Sequence, residues 1–404
     1  MLTSLALIFL IGLFLGAVCH HFGLPRIIGM LATGVLLGPY ALNLLDASIL
    51  GISADLRQMA LVIILIKAGL SLKMSDLKKV GRPALMLGFL PACCEIVGYV
   101  IFAPLLLGIT RNEAALMGAV LAAVSPAVVV PRMVQFMEEG YGTKKCVPQM
   151  ILAGASLDDI VVIVLFSTFL GMVQGDGAAS APSLWSVPVS IILGLALGAA
   201  MGFVLNKLFE YRYNKNTHVR NSVKVIIILA VSFLLVAVED ALEGKIAISG
   251  LLAVMSMASV IAARSIPFVT ERLSGKFGKL WLAAELVLFV MVGAAVDPSY
   301  TLKAGWGALA MIIVGLCIRS IGTLICISGM GLNKKEKIFC LLSYIPKATV
   351  QAAIGSVPLA LGLPCGNIIL SVAVMGIVVS APLGAICMDR LYKVCLTKDD
   401  EESE

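Results

Sequence analysis

Apolar residues fill this chain in runs of about 20, divided by short polar breaks. Within the runs there is no two-residue alternation. Stretches such as 223–238 and 286–296 are apolar at nearly every position, whereas a barrel strand alternates over about ten residues. The runs therefore predict helices. Read between charged or turn-rich breaks, they give about 13 spans. Their ranges are 3–19, 27–45, 58–72, 83–108, 113–133, 147–172, 185–207, 222–238, 246–263, 279–296, 301–328, 337–358 and 367–389. The pattern is that of an all-α polytopic membrane protein.

Composition agrees. Charged residues are 13% of the chain and hydrophobic ones 60%, against about 25% charged in soluble domains. Lipid cannot satisfy backbone donors and acceptors, so each span must pair its own. The net charge of +6 does not point to nucleic acid, because the basic residues gather in short breaks. Alternating sides along the chain puts most of the 30 Lys and Arg in cytoplasmic segments and leaves Arg57, Arg111, Lys245 and Lys303 outside. That bias requires an odd span count, with the N-terminus out and the C-terminus in. The acidic run 399–404 reads as a solvated cytoplasmic end. The ten cysteines include no C-x-x-C and no zinc spacing, and read as buried thiols. No phosphate-binding loop and no hydrolase set is present, so neither an enzyme, a nucleotide site nor a cofactor is expected.

Two regions match at an offset of 224. Gly69, Ser75, Gly81, Ala84, Leu85 and Gly98 correspond to Gly293, Ser299, Gly305, Ala308, Leu309 and Gly322. An odd number of spans separates the copies, so the repeat is inverted, as in alternating-access transporters. Each copy leads to a span interrupted by proline. Pro126 and Pro131 interrupt 113–133; Pro346 interrupts 337–358. Proline removes a donor and clashes with the preceding turn. Two such breaks would face each other across a site, with Ser125, Pro126, Ser156, Pro346 and Thr349 around it.

Asp158 and Asp159 lie near the middle of the 147–172 span, flanked by apolar residues. A charge there costs about 2.5–3.5 kcal/mol by insertion scales, and two adjacent carboxylates repel. Such a pair holds either protons or a small hard cation. Glu95 and Arg319 occupy the same repeat position and are expected to pair across the pseudo-twofold axis. Lys347, at the second break, is expected to face Asp158. Lys67 and Glu285 lie nearer span ends, and His20 and His21 at the end of the first helix.

These motifs resemble a known family. Gly34–Pro39 is similar to the G-x-L-L-G-P stretch of monovalent cation:proton antiporters. Ser125–Pro131, Gly140–Gly142, Gly154–Ile160 and Ile345–Gln351 resemble the NHA-type Na⁺/H⁺ exchangers with two adjacent aspartates. The resemblance implies an NhaA-like fold with two discontinuous crossing helices. It also implies a homodimer in the cell (plasma or inner) membrane, and Asp159 as the carrier with Asp158 beside it. It divides the chain into dimerisation helices (1–57 and 185–263), core repeats (58–172 and 279–390) and a tail (391–404). Arg319 stands where electrogenic relatives carry lysine, so electroneutral exchange is the expectation. The implied cargo is Na⁺ or Li⁺ against H⁺. K⁺/H⁺ antiport, and a sodium-coupled organic anion carrier on a similar fold, stand as alternatives; the apolar Val128–Val130 disfavours a bulky solute.

Overall fold

The computed structural model describes residues 1–71, 81–175, 186–214, 219–242 and 248–398. Their regular structure is helical. The first half holds α1 (Leu2–His21), α2 (Arg26–Leu37), α3 (Ala47–Gly51), α4 (Ser53–Ser71), α5 (Arg82–Leu87), α6 (Leu90–Leu107), α7 (Arg111–Ala122), α8 (Pro126–Glu138) and α9 (Val147–Gly175). The second holds α10 (Ser186–Asn214), α11 (Asn221–Leu242), α12 (Gly250–Arg264), α13 (Pro267–Ala294), α14 (Pro298–Ile327), α15 (Lys334–Ser343), α16 (Thr349–Gly355), α17 (Val357–Ala360) and α18 (Gly366–Cys395). Among the described residues, eight segments are long and apolar enough to cross a membrane. Three shorter apolar helices, Arg26–Leu37, Gly250–Arg264 and Thr349–Ala360, are found beside them.

The chain divides into two compact units. One comprises Met1–Ala54, Ser75–Val173 and Leu286–Glu404; the other comprises Asp55–Met74 and Gln174–Glu285. This grouping sets the first two helices with the core repeats, and residues 58–71 with 186–285.

In the first unit, glycines let backbones touch. A Cβ on Gly34 would lie 2.0 Å from the Val290 carbonyl, and one on Gly293 would lie 2.2 Å from that of Leu31. Small residues at such crossings replace the hydrophobic drive that lipid does not provide. Gly38 N–H closes α2 on Gly34 O at 2.8 Å, and Pro39 follows. Where α6 and α14 cross, Gly98 makes room for the Ile318 side chain and Gly322 lies against the Pro91 backbone. Gly81 (φ 62°), just before α5, and Gly305 (φ 23°), inside α14, both have left-handed φ. They are 224 residues apart, and only glycine adopts that conformation without strain.

In the second unit, Gly194, Gly198 and Gly202 of α10 recur every four residues. Each lies against a backbone carbonyl of the α12 segment, at Ser249, Ala253 and Met257. One boundary differs from the sequence reading. The basic stretch 264–278, read as a loop, is largely helical, because α13 starts at Pro267. Gly275 and Gly278 have open space around them, so this polar turn extends the helix without burying charge.

Candidate functional site

The site lies in the first unit and starts from two interrupted spans. α7 opens with a capping box between Thr110 and Glu113 and ends at Ala122. Ala123 and Ser125 are extended, and helix resumes at Pro126, whose missing N–H suits the first helical position. α15 opens with an equivalent box between Asn333 and Glu336 and ends at Ser343; helix resumes at Thr349. The breaks touch. Ser125 N–H donates to Pro346 O at 2.8 Å, and the Ser125 and Thr349 hydroxyls are 3.4 Å apart. The Pro346 ring fits against Gly384, where a Cβ would come within 2.3 Å of it.

A buried break exposes helix ends: carbonyls with partial negative charge and N–H groups with partial positive charge. Ionised side chains meet both kinds of end. Arg319 donates to Ala122 O through Nη1 and to Tyr344 O through Nε at 3.0 Å; Lys347 Nζ donates to Leu121 O. The cations thus sit at the C-terminal ends of α7 and α15. On the opposite side, Val124 N–H, just before α8, donates to Asp158 Oδ2 at 2.8 Å.

The charges form a chain. Arg319 Nη2 donates to Asp158 Oδ2 at 2.8 Å, and its Nη1 donates to Glu95 Oε2 at 3.1 Å. Lys347 Nζ is 2.7 Å from Glu95 Oε1 and 2.9 Å from Oε2. Glu95, Asp158 and Lys347 are fully buried, and Arg319 is 1% exposed. Lys347 therefore takes Glu95 as its direct partner, and the guanidinium opposite Asp158 belongs to Arg319. This corrects the expectation that Lys347 faces Asp158. Arginine suits the bridging place because its planar fork reaches several acceptors at once.

Asp159 is placed differently. Successive residues on a helix point about 100° apart, so it does not share the donors of Asp158. It is 5% exposed, makes no ion pair among the described residues, and its Oδ1 has no partner. Asp158 Oδ1 also lacks one.

Other candidates lie elsewhere. The Ser156 side chain is outside the described residues. Lys67 and Glu285 belong to the second unit, where their charges act on each other. His20 and His21 are exposed at the end of α1. Sequence reasoning left out of the site Gln351, buried and bonded to Ala123 O, and Ser380, whose Oγ accepts Lys347 N–H at 3.0 Å. The first was visible inside the Ile345–Gln351 motif. The second had no signal, since an isolated serine in an apolar helix usually bonds its own backbone.

The far end of α8 is tied to α18. Arg132 makes a two-pronged ion pair with Asp389 at 2.7 and 2.8 Å. Glu139 accepts from Gln135 and Tyr392, at 2.7 and 2.8 Å. These two hydrogen bonds hold the Glu139 carboxyl below its ordinary value. Tyr141 and Lys398 form an isolated antiparallel bridge, and Gly142 N–H donates to Thr397 O at 2.9 Å.

A family model described as "Sodium/hydrogen exchanger, transmembrane" matches residues 5–391. The mouse protein "Sodium/hydrogen exchanger 9B2" is 31% identical over 393 residues, covering 94% of this chain and 70% of its own. The Xenopus tropicalis protein of the same name is 33% identical, covering 87% of this chain and 65% of its own. This chain thus spans about two thirds of the length of these relatives. Among solved structures, the sodium proton antiporter MjNhaP1 from Methanocaldococcus jannaschii superimposes with a TM-score of 0.80. It is 20% identical, with 97% of this chain and 98% of that one covered. This likeness establishes the fold.

Proposed function

Because the chain belongs to the sodium/hydrogen exchanger family, we propose that it is a secondary antiporter in which Na⁺ (or Li⁺) and H⁺ compete for Asp159 as the site opens to alternate sides of the membrane. The observation that carries the reading is the unequal state of two adjacent acids. Asp158 is engaged by Arg319 and by Val124 N–H. Asp159 is buried without an ion pair among the described residues. An ionised carboxylate in that position is costly unless something neutralises it. A proton or a small hard cation does so, and both need the same oxygen lone pairs. Exclusive occupancy with alternating access is sufficient for antiport.

The charge balance supports electroneutral exchange. Glu95 and Asp158 are paired with Arg319 and Lys347, and Asp159 adds a third acid, which leaves a single negative charge when all are ionised. One Na⁺ or one H⁺ closes it. Arg319 cannot release its proton, so the balance holds through the cycle. The inverted repeat is supported by the paired capping boxes at Thr110 and Asn333 and by the left-handed glycines 81 and 305. The reading includes about 13 spans and the homodimer that the family resemblance implies.

The test is reconstitution into liposomes with a pH-sensitive dye inside, adding Na⁺, Li⁺ and K⁺ in turn. Na⁺ or Li⁺ is expected to drive proton movement, and Asp159→Asn to abolish it. No response to any of the three ions removes antiport; a response unchanged in Asp159→Asn removes the site.

A further inference from the structure

Three consecutive carbonyls at the end of α7 each take a donor from a side chain far along the chain. Leu121 O accepts Lys347 Nζ, Ala122 O accepts Arg319 Nη1, and Ala123 O accepts Gln351 Nε2 at 2.7 Å. Lys347 and Arg319 already belong to the charge network. Gln351 carries no charge, and the exchange site as described so far leaves it unused. It is the third residue of α16 and is completely buried. Its Nε2 also lies 3.4 Å from Leu121 O. Two acceptors on one side decide which end of the amide is nitrogen, because an oxygen facing them would be repelled.

The Ala123 carbonyl differs from the other two in what its peptide does on the far side. That peptide joins Ala123 to Val124, and its N–H donates to Asp158 Oδ2 at 2.8 Å. The C=O and N–H of a trans peptide point in opposite directions. Gln351 therefore holds one edge of the peptide and Asp158 the other, and the two side chains are linked only through it. Ala123 is extended (φ −71°, ψ 142°), so the helix ladder does not fix the plane of this peptide. The two side-chain bonds do. They also reinforce each other: a carbonyl that accepts a hydrogen bond polarises its own N–H and strengthens the next bond by about 10–30%.

We propose that Gln351 is a positioning residue for Asp158, acting through the Ala123–Val124 peptide. It does not touch the ion. It fixes the plane of one peptide, and that peptide aims its N–H at Asp158. Asp158 is then held from two sides, by Val124 N–H and by Arg319. The consequence for exchange rests on the reading of Asp159 as the carrier. The two acids share one turn of α9, so an Asp158 that swings loose alters the surroundings in which Asp159 meets its ion. A residue that only capped the end of α7 would act on stability alone, and equally with or without the Asp158 charge.

The experiment is a double-variant cycle read by thermal melting of the purified protein, with Na⁺-driven exchange in liposomes beside it. Gln351→Leu keeps the size and removes the donor. It should lower the melting midpoint of the wild type. In Asp158→Asn, where Val124 N–H meets a neutral acceptor, the same substitution should lower it about half as much. In liposomes Gln351→Leu should raise the apparent KM for Na⁺ about fivefold, the worth of one hydrogen bond, and keep the maximal rate within about twofold of wild type. Equal midpoint shifts in the two backgrounds, or an unchanged KM, show Gln351 to be a cap only and overturn the proposal. Exchange that survives in Asp159→Asn removes the carrier reading instead, and the melting cycle still tests the link from Gln351 to Asp158. If the Leu variant cannot be purified, Gln351→Met, which also has no N–H donor in its side chain, is judged by the same cycle and the same KM.

Discussion

Arg319→Met removes a side chain that joins four acceptors. Arg319 donates to Glu95, Asp158, Tyr344 O and Ala122 O from a position that is 1% exposed. Without it, Glu95 keeps Lys347 at 2.7 Å, but Asp158 keeps only Val124 N–H. The carbonyls of Ala122 and Tyr344 lose a donor in a dry interior. Removing one partner of a buried ion pair costs about 3–5 kcal/mol, because the other charge is left uncompensated. An unpaired buried carbonyl adds about 1–3 kcal/mol, though contributions within one network do not sum. A loss of about 4 kcal/mol is therefore expected for Arg319→Met, set mainly by the stranded Asp158 charge. Arg319→Lys keeps the charge, but a single ammonium cannot span acceptors on four segments, so an intermediate loss is expected. The cause is tested by adding Asp158→Asn to the Met variant. With the stranded charge gone, the double variant should recover about 1–3 kcal/mol. The assay is denaturant unfolding of the purified protein, compared across the three variants. A Met variant within about 1 kcal/mol of wild type, or a double variant less stable than the single, refutes the reasoning.

Gly34→Ala and Gly293→Ala each press a methyl into a backbone carbonyl and should lower stability by about 1–3 kcal/mol or more, while Gly171→Ala, which meets nothing within 4 Å, should be neutral or slightly stabilising in thermal melts. Asp389→Asn should cost at most about 1 kcal/mol, falling with salt, because Asp389 is 50% exposed. Tyr392→Phe removes a donor to Glu139, whose carboxyl is held below its ordinary 4.5 by hydrogen bonds from Gln135 and Tyr392. A depressed carboxyl contributes stability above its unfolded value and loses it as pH falls. The stability gap between Tyr392→Phe and wild type should therefore stay constant from neutral pH down to about 4.5 and narrow below it, as read by melts across pH. Exchange in liposomes should not respond to an imposed membrane potential, and a clear response would reject the one-for-one charge balance.

Much of this protein is local and was legible along the chain. Whether a segment sits in lipid depends on its own side chains, so apolar runs placed the helices. Pro126 and Pro346 marked the breaks because proline removes a helix donor, whereas Pro131, read as part of the first break, lies inside α8. Asp158 and Asp159 stood out because no span tolerates them without cause. The offset of 224 brought Glu95 and Arg319 to the same register, and the structure has them 3.1 Å apart.

The choice of partners was not local. Lys347 has two carboxylates available in the same buried region, and only the crossing of α6 with α14 and the two breaks decides that Glu95 receives it while Asp158 receives Arg319. Asp158 and Asp159 are neighbours of one kind, yet about 100° of helix rotation gives one a guanidinium and a backbone N–H and leaves the other without an ion pair among the described residues. Gln351 reads as one amide among others until Ala123 O holds its nitrogen. Hydropathy and proline act within a segment, so sequence alone marked the apolar helices and the two interrupted ones. Charge pairing depends on distances between segments remote in the chain, so only the tertiary structure could decide which of the two acids takes the guanidinium.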